Sequence, residues 1–264
     1  MKTVNQLVAE IKENGQDFEW YPTTSEIVKA FATFLKKKKK LRENFGFCGS
    51  ILDIGCGNGG FFQKLCSDSL FKNVKKYGIE KSMILSEQLP DDVILLGTDF
   101  NQQTLIDKKV DIVFCNPPYS EYDEWAEKII LQSNCNAIAL VIPNRWARNE
   151  RIKYALERRN MQAKVIGTYD FSNAERKARA TVDLLFISAK ETERNGYKYD
   201  EKIKDPFELW FDETFKINAE TDKYKIKYNS DIKEEIKNEL AVKISKGYEN
   251  WKPDLIIVDY LLIT

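Results

Sequence analysis

The chain has no histidine among its 264 residues, so the side chain that most often acts as general base and metal ligand is missing. That excludes a histidine-based catalytic triad, and no metal site is expected. Net charge is missing too. With 41 basic and 41 acidic residues, any affinity for a polyanion must come from a local patch. The five cysteines, Cys48, Cys56, Cys66, Cys115 and Cys135, are odd in number and show no C-x-x-C spacing, which reads as reduced thiols. The opening MKTVNQLVAEIKENG lacks an apolar core of leader length, and no later run approaches a membrane span. The expectation is a cytoplasmic protein with no membrane partner. No internal repeat is present.

Short apolar runs rich in Val, Ile and Phe recur between helix-like segments. They cover Ile51 to Ile54, Lys76 to Glu80, Val93 to Leu96, Asp111 to Phe114, Ala137 to Ile142, Lys164 to Thr168 and Thr181 to Ser188. Helices are expected over Ser25 to Lys38, Gly59 to Ser67, Tyr122 to Ser133 and Trp146 to Leu156. This alternation predicts an α/β fold built on a mostly parallel seven-stranded sheet with helices on both faces. From about Glu191 the pattern gives way to charged, Tyr-rich sequence that ends in the strand-like run Leu255 to Ile263. Residues 1–190 therefore read as the main domain and 191–264 as a small appendage with a possible role in substrate recognition.

Ile51 to Gly60 (ILDIGCGNGG) is a buried strand entering a glycine-rich turn and then a helix. Glycines at the carboxyl edge of such a sheet let the backbone approach a ligand. Gly55, Gly57 and Gly60 also satisfy G-x-G-x-x-G, so a dinucleotide is one reading. Asp53 argues for another, because an acid two residues before Gly55 suits a cationic amino group better than a pyrophosphate; it also suits simple capping of the turn. Glu80, beside Lys81, ends the second strand twenty-five residues after Gly55, where a carboxylate can accept from both hydroxyls of a ribose. Asp99 and Phe100 follow the third strand, where the acid can accept from an adenine amino group or serve as an ordinary turn residue.

Asn116-Pro117-Pro118-Tyr119 directly follows the fourth strand. A planar amine is a poor nucleophile because its lone pair is delocalised. The Asn116 side-chain oxygen and the Pro117 carbonyl can accept its two hydrogens and turn the lone pair out of plane. No general base is then needed, in agreement with the missing histidine. The two prolines hold φ near about −65°, so the acceptors are placed in advance. Tyr119 offers a face on which a base can stack.

On these residues the chain resembles the class I S-adenosylmethionine-dependent amino-methyltransferases, particularly the N6-adenine DNA methyltransferases with the motif [DN]-P-P-[YF]. The resemblance runs from about Glu19 to Lys190. It matches Leu52 to Gly60, Gly78 to Ser82, Asp99-Phe100 and Asn116 to Tyr119. Trp20 to Val28 is similar to the family's Y-P-T-P segment, which places Tyr21, Pro22 and Thr23 at the cofactor. Thr24 stands where the family has proline, and Thr23-x-x-Glu26 also reads as a helix capping box.

The resemblance implies S-adenosylmethionine as cofactor and duplex DNA as partner, with the target base extruded into the pocket and the gamma order of motifs known from restriction-modification enzymes. It assigns Phe171 as the second stacking wall, while an isolated phenylalanine is more often core. Arg145, Arg148, Arg176, Lys177 and Arg179 fall near the same sheet edge and are the candidates for phosphate contact, or for a solvated face. Lys36 to Lys40 read as a solvated helix end. An RNA adenine, a noncatalytic nucleic-acid-binding subunit and a nicotinamide-dependent oxidoreductase are the competing readings. A protein glutamine is disfavoured, since only about fifty residues precede the glycine loop.

Overall fold

The computed structural model describes residues 2–41, 48–171, 176, 180–194 and 197–214. Its centre is a seven-stranded sheet of β1 (Ser50–Ile54), β2 (Lys75–Ile79), β3 (Val93–Gly97), β4 (Val110–Cys115), β5 (Cys135–Pro143), β6 (Met161–Asp170) and β7 (Thr181–Ala189). The order is β3-β2-β1-β4-β5-β7-β6. Strands β1 to β5 pair in parallel, and β7 runs antiparallel between β5 and β6. Every expected strand is present, and the α/β expectation holds.

Alternate residues of each central strand enter opposite cores, the consequence of a two-residue side-chain period. Ile51, Ile112, Phe114 and Ala139 face one layer with Phe31, Phe61 and Phe62. Leu52, Val113, Cys115 and Leu140 face the other with Ile129, Ile130 and Ile152. The first layer is covered by α2 (Ser25–Leu41) and α3 (Gly60–Leu65), the second by α5 (Tyr122–Gln132) and α6 (Glu150–Arg159).

The single helix expected over Trp146 to Leu156 is instead a 3-10 turn, Asn144–Arg148, followed by α6. Asn149 separates them, because its side chain accepts the Ile152 N–H at 3.2 Å and starts a new helix. Helix α1 (Val4–Glu13) has no counterpart in the sequence reading. Thr3 and Gln6 form its capping box, and its Leu7 and Ile11 pack with Trp20 and Leu85 near α4 (Met83–Ser86). The start of α2 is also capped differently from expectation. Thr24 Oγ1, and not Thr23, accepts the Ile27 N–H at 3.4 Å. This is the position where the related motif has proline, and it leaves the Thr23 hydroxyl available elsewhere.

Beyond Lys190 the chain forms a hairpin of β8 (Glu191–Arg194) and β9 (Tyr197–Asp200), then α7 (Pro206–Thr214) against α5. The terminal run Leu255 to Ile263 lies outside the described residues. Arg159, only 1% exposed, joins this part to the main domain. Its guanidinium donates to the carbonyls of Ile130, Leu131 and Ser133 at the end of α5 and to that of Lys204, at 2.7 to 3.0 Å. A buried cation here satisfies helix-terminal carbonyls that would otherwise be stranded. Arg159→Met is expected to lower the unfolding free energy by about 3 kcal/mol, read as a reduced urea midpoint.

Candidate functional site

The carboxyl ends of β1, β2, β3 and β4 meet the segment ahead of α2 around a cavity of about 270 Å³. Gly55 lines its floor and Gly57 lies behind in the same loop, with φ of +73° and +56°, conformations that glycine adopts without steric cost. A Cβ on Gly57 would lie 2.2 Å from Trp20 Nε1, so the indole rests directly on the loop backbone. Glu80, the first residue beyond β2, accepts the Gly57 N–H through Oε2 and the Ser82 N–H through Oε1, each at 2.7 Å. It therefore pins the glycine loop as well as lining the cavity, and each oxygen retains a lone pair for a further donor.

Asp53 is 3% exposed, and among the described residues no hydrogen-bond donor reaches its carboxylate. Burial, then the neighbouring Glu80 charge, push its carboxyl well above the ordinary range. Burial also raises Glu80, against the pull of its backbone amides. Two carboxyls with no cationic partner among the described residues, both lining a cavity, form a site that a positively charged group would complete.

On the far wall Asp99 accepts the Asn101 N–H at 3.0 Å and pairs with Lys81 at 3.2 Å. Lys81 lies over the Phe18 ring at 4.9 Å. Phe100 is buried with its ring 4.4 Å from that of Trp125. Trp125 also closes over Gly55 and donates its indole N–H to Glu121 at 3.0 Å.

The tetrapeptide leaves β4 on the same side. Asn116 Nδ2 donates to the Tyr21 carbonyl at 2.7 Å and lies 3.5 Å from Thr23 Oγ1. This donation sets the orientation of the amide, since an oxygen turned toward the Tyr21 carbonyl would be repelled. Asn116 Oδ1 is consequently buried with no hydrogen-bond partner among the described residues, in a residue that lines the cavity. Pro22, Thr23 and Pro118 also line it, whereas Pro117 is buried behind it.

The aromatic residues depart from expectation. Tyr119 is stacked on Tyr21, with centroids 5.7 Å apart and planes 2° from parallel, so that face is covered. Phe171 does reach Tyr119, edge-on at 5.9 Å. It is 0% exposed within the core, however, and is a buried support instead of an open wall.

The basic residues divide as well. Arg176 is held by Asp17 through two bonds of 2.8 Å, donates to the Trp20 carbonyl at 2.7 Å and covers the Tyr21 ring at 4.4 Å. A guanidinium so engaged braces the cavity wall and is not a free phosphate contact. Arg145 lies over the Tyr122 ring at 4.8 Å, and Arg148 is exposed. Lys177 and Arg179 lie outside the described residues. Lys36 pairs with Asp68 and Lys38 with Glu191, away from the cavity. Among the described residues no cluster fit to hold a metal ion is present, and no helix is long and apolar enough to cross a membrane.

Gln16, Glu19, Trp20 and Trp125 line the cavity and were not singled out from the sequence. The aromatic run Phe18-Glu-Trp-Tyr21 is the available signal for two of them, Glu19 and Trp20. Gln16 carries none, because its role of accepting from Ser82 Oγ and the Ile84 N–H depends on long-range packing.

No family model and no curated protein sequence matches the chain. Among solved structures, a dimethyladenosine transferase from Plasmodium falciparum aligns with a TM-score of 0.50 at 12% identity, over 65% of this chain and 64% of that one. The chain thus spans just under two thirds of that protein. The 23S rRNA methyltransferase ErmE aligns at TM-score 0.47 and 10% identity, over 65% and 70% of the two chains. The plantazolicin methyltransferase BpumL, solved with SAH, aligns at 0.46 and 14%, over 70% and 90%. The chain has the class I methyltransferase fold.

The Asp53 environment has a measurable consequence. Unfolded, its carboxyl titrates near the ordinary value of 3.8, and in the ligand-free fold it titrates well above that. The stability associated with the neutral form is complete below the unfolded value and is lost as pH rises through the folded one. Asp53→Asn is expected to melt above the wild type at pH 8, with the difference closing toward pH 4, as read by scanning calorimetry without ligand.

Proposed function

We propose that this protein is an S-adenosylmethionine-dependent methyltransferase that methylates the N6 amino group of adenine in DNA. The observation that carries the reading is the Asn116 amide, oriented through Nδ2 so that a buried Oδ1 lacking a donor stands at the cavity. A buried acceptor without a partner is costly, and an amine hydrogen satisfies it. With the Pro117 carbonyl taking the second hydrogen, the nitrogen is drawn toward tetrahedral geometry with its lone pair free. The nitrogen attacks before it loses a proton, and the proton leaves to solvent afterwards, so the absence of histidine is no obstacle.

The cavity residues fit the cofactor. Asp53 would hold its cationic amino group, the free lone pairs of Glu80 its ribose hydroxyls, and Asp99 with Phe100 its adenine. Tyr21, Pro22 and Thr23 would close over the methionine end. S-Adenosylmethionine supplies there a methyl group on a sulfonium. Asp53 and Glu80 match that positive charge, and Trp20 and Trp125 exclude water above the glycine loop.

DNA is favoured by the motif order, with the Tyr-Pro-Thr segment first and the tetrapeptide third. The solved neighbour at TM-score 0.50 is named a dimethyladenosine transferase, and adenine in RNA is the second reading. Either nucleic acid requires the base to leave its stack, and Tyr21 must shift from Tyr119 if the base is to stack there.

Asn116→Ala is expected to keep cofactor affinity by calorimetry and to lose about 100-fold or more in turnover. The assay is transfer of labelled methyl groups to duplex DNA, RNA and protein in parallel, followed by nucleoside analysis. Unchanged turnover in the variant overturns the mechanism. Label appearing only on RNA or protein replaces the acceptor.

A further inference from the structure

Residues 16–23 reach the site through the Asp17 to Arg176 pair, the Trp20 contact with Gly57 and the Tyr21 carbonyl. One member of the segment is explained by none of these. Glu19 has φ +56°, a left-handed conformation that glycine or asparagine adopts more readily than glutamate. Residues kept in such conformations cluster at functional sites. The chain reverses there, so that Trp20 turns onto the glycine loop and Tyr21 toward Asn116.

The Glu19 side chain supplies the second observation. It lines the cavity, forms no ion pair among the described residues, and accepts the Ser120 N–H through Oε2 at 3.2 Å. Ser120 is the first residue after the tetrapeptide, ahead of the start of α5, and no backbone carbonyl among the described residues receives its amide. Glu19 thus ties the far end of the catalytic turn to the same segment that holds the near end through the Tyr21 to Asn116 bond.

We infer that Glu19 is a positioning residue. It clamps the turn after Tyr119 through the Ser120 amide, so that the wall of the cofactor cavity and the amine acceptors are held in one register. The inference rests on the reading above that Asn116 and Pro117 receive the amine. The clamp requires an acceptor at residue 19 and does not require its charge, so glutamine suffices and glycine does not.

The test compares Glu19→Gly, which removes the acceptor and relieves the backbone, with Glu19→Gln. The glycine variant should melt at or above the wild-type temperature and keep its cofactor KM within about twofold, while kcat falls about tenfold or more. Glutamine should stay within about threefold of wild type, since it keeps an acceptor. Exchange of the Ser120 amide, followed by NMR, should speed up about fivefold or more in the glycine variant only. Lower melting with unchanged kcat, or equal Ser120 exchange in all three proteins, overturns the inference. A wild-type protein that methylates no acceptor refutes the functional reading, while Ser120 exchange still decides the clamp.

Discussion

One hydrogen bond sets the character of this site, the donation from Asn116 Nδ2 to the Tyr21 carbonyl. It orients an amide that could otherwise rotate by half a turn, and so decides that an oxygen, and not an NH₂ group, is the atom left without a partner among the described residues in a residue lining the cavity. Much of the surrounding structure keeps those two atoms in place. β4 delivers Asn116 from a fully packed core strand, and the prolines fix the chain after it. Tyr21 is held from both sides, by the Tyr119 ring and by the Arg176 guanidinium. Thr24 caps α2, so Thr23 can face Asn116 and not the helix.

The cavity floor follows a second constraint, the concentration of buried negative charge. Asp53 and Glu80 sit together with no cationic partner among the described residues, and the fold bears that cost at the edge of the cavity. Glu80 both braces the backbone and lines the cavity. One bond holds the left-handed Gly57 and another the backbone at Ser82, and the same residue lines the cavity. Replacing it would therefore disturb loop and ligand together, whereas Asp53 has no such structural duty among the described residues.

The positions of the seven strands and the mostly parallel α/β architecture are legible in the sequence because they rest on local pattern, whereas the strand order is not. Short continuous apolar runs specify strands buried on both faces, and the glycines and acids lie at strand ends where only a few geometries are available. The legibility ended where contacts join distant segments. Arg176 looked like a phosphate ligand because its partner Asp17 lies far away in the chain. Phe171 looked like a free wall because burial at a loop is not encoded locally. The helix cap was placed one residue early because Thr23 and Thr24 have equal capping chemistry, and only the tertiary demand on Thr23 separates them. Helix α1 was passed over because its two buried residues, Leu7 and Ile11, make too short an apolar stripe.

The origin of the cavity walls matters for traffic through the site. The floor is made from strand ends rooted in both cores, but the Trp20 side is contributed by a segment lying before the first strand. That side could swing outward at the expense of a few polar contacts and one small apolar cluster, with no strand disturbed. A small molecule entering or leaving the cavity would then pass through contacts outside the sheet, and local opening there would leave the strands intact.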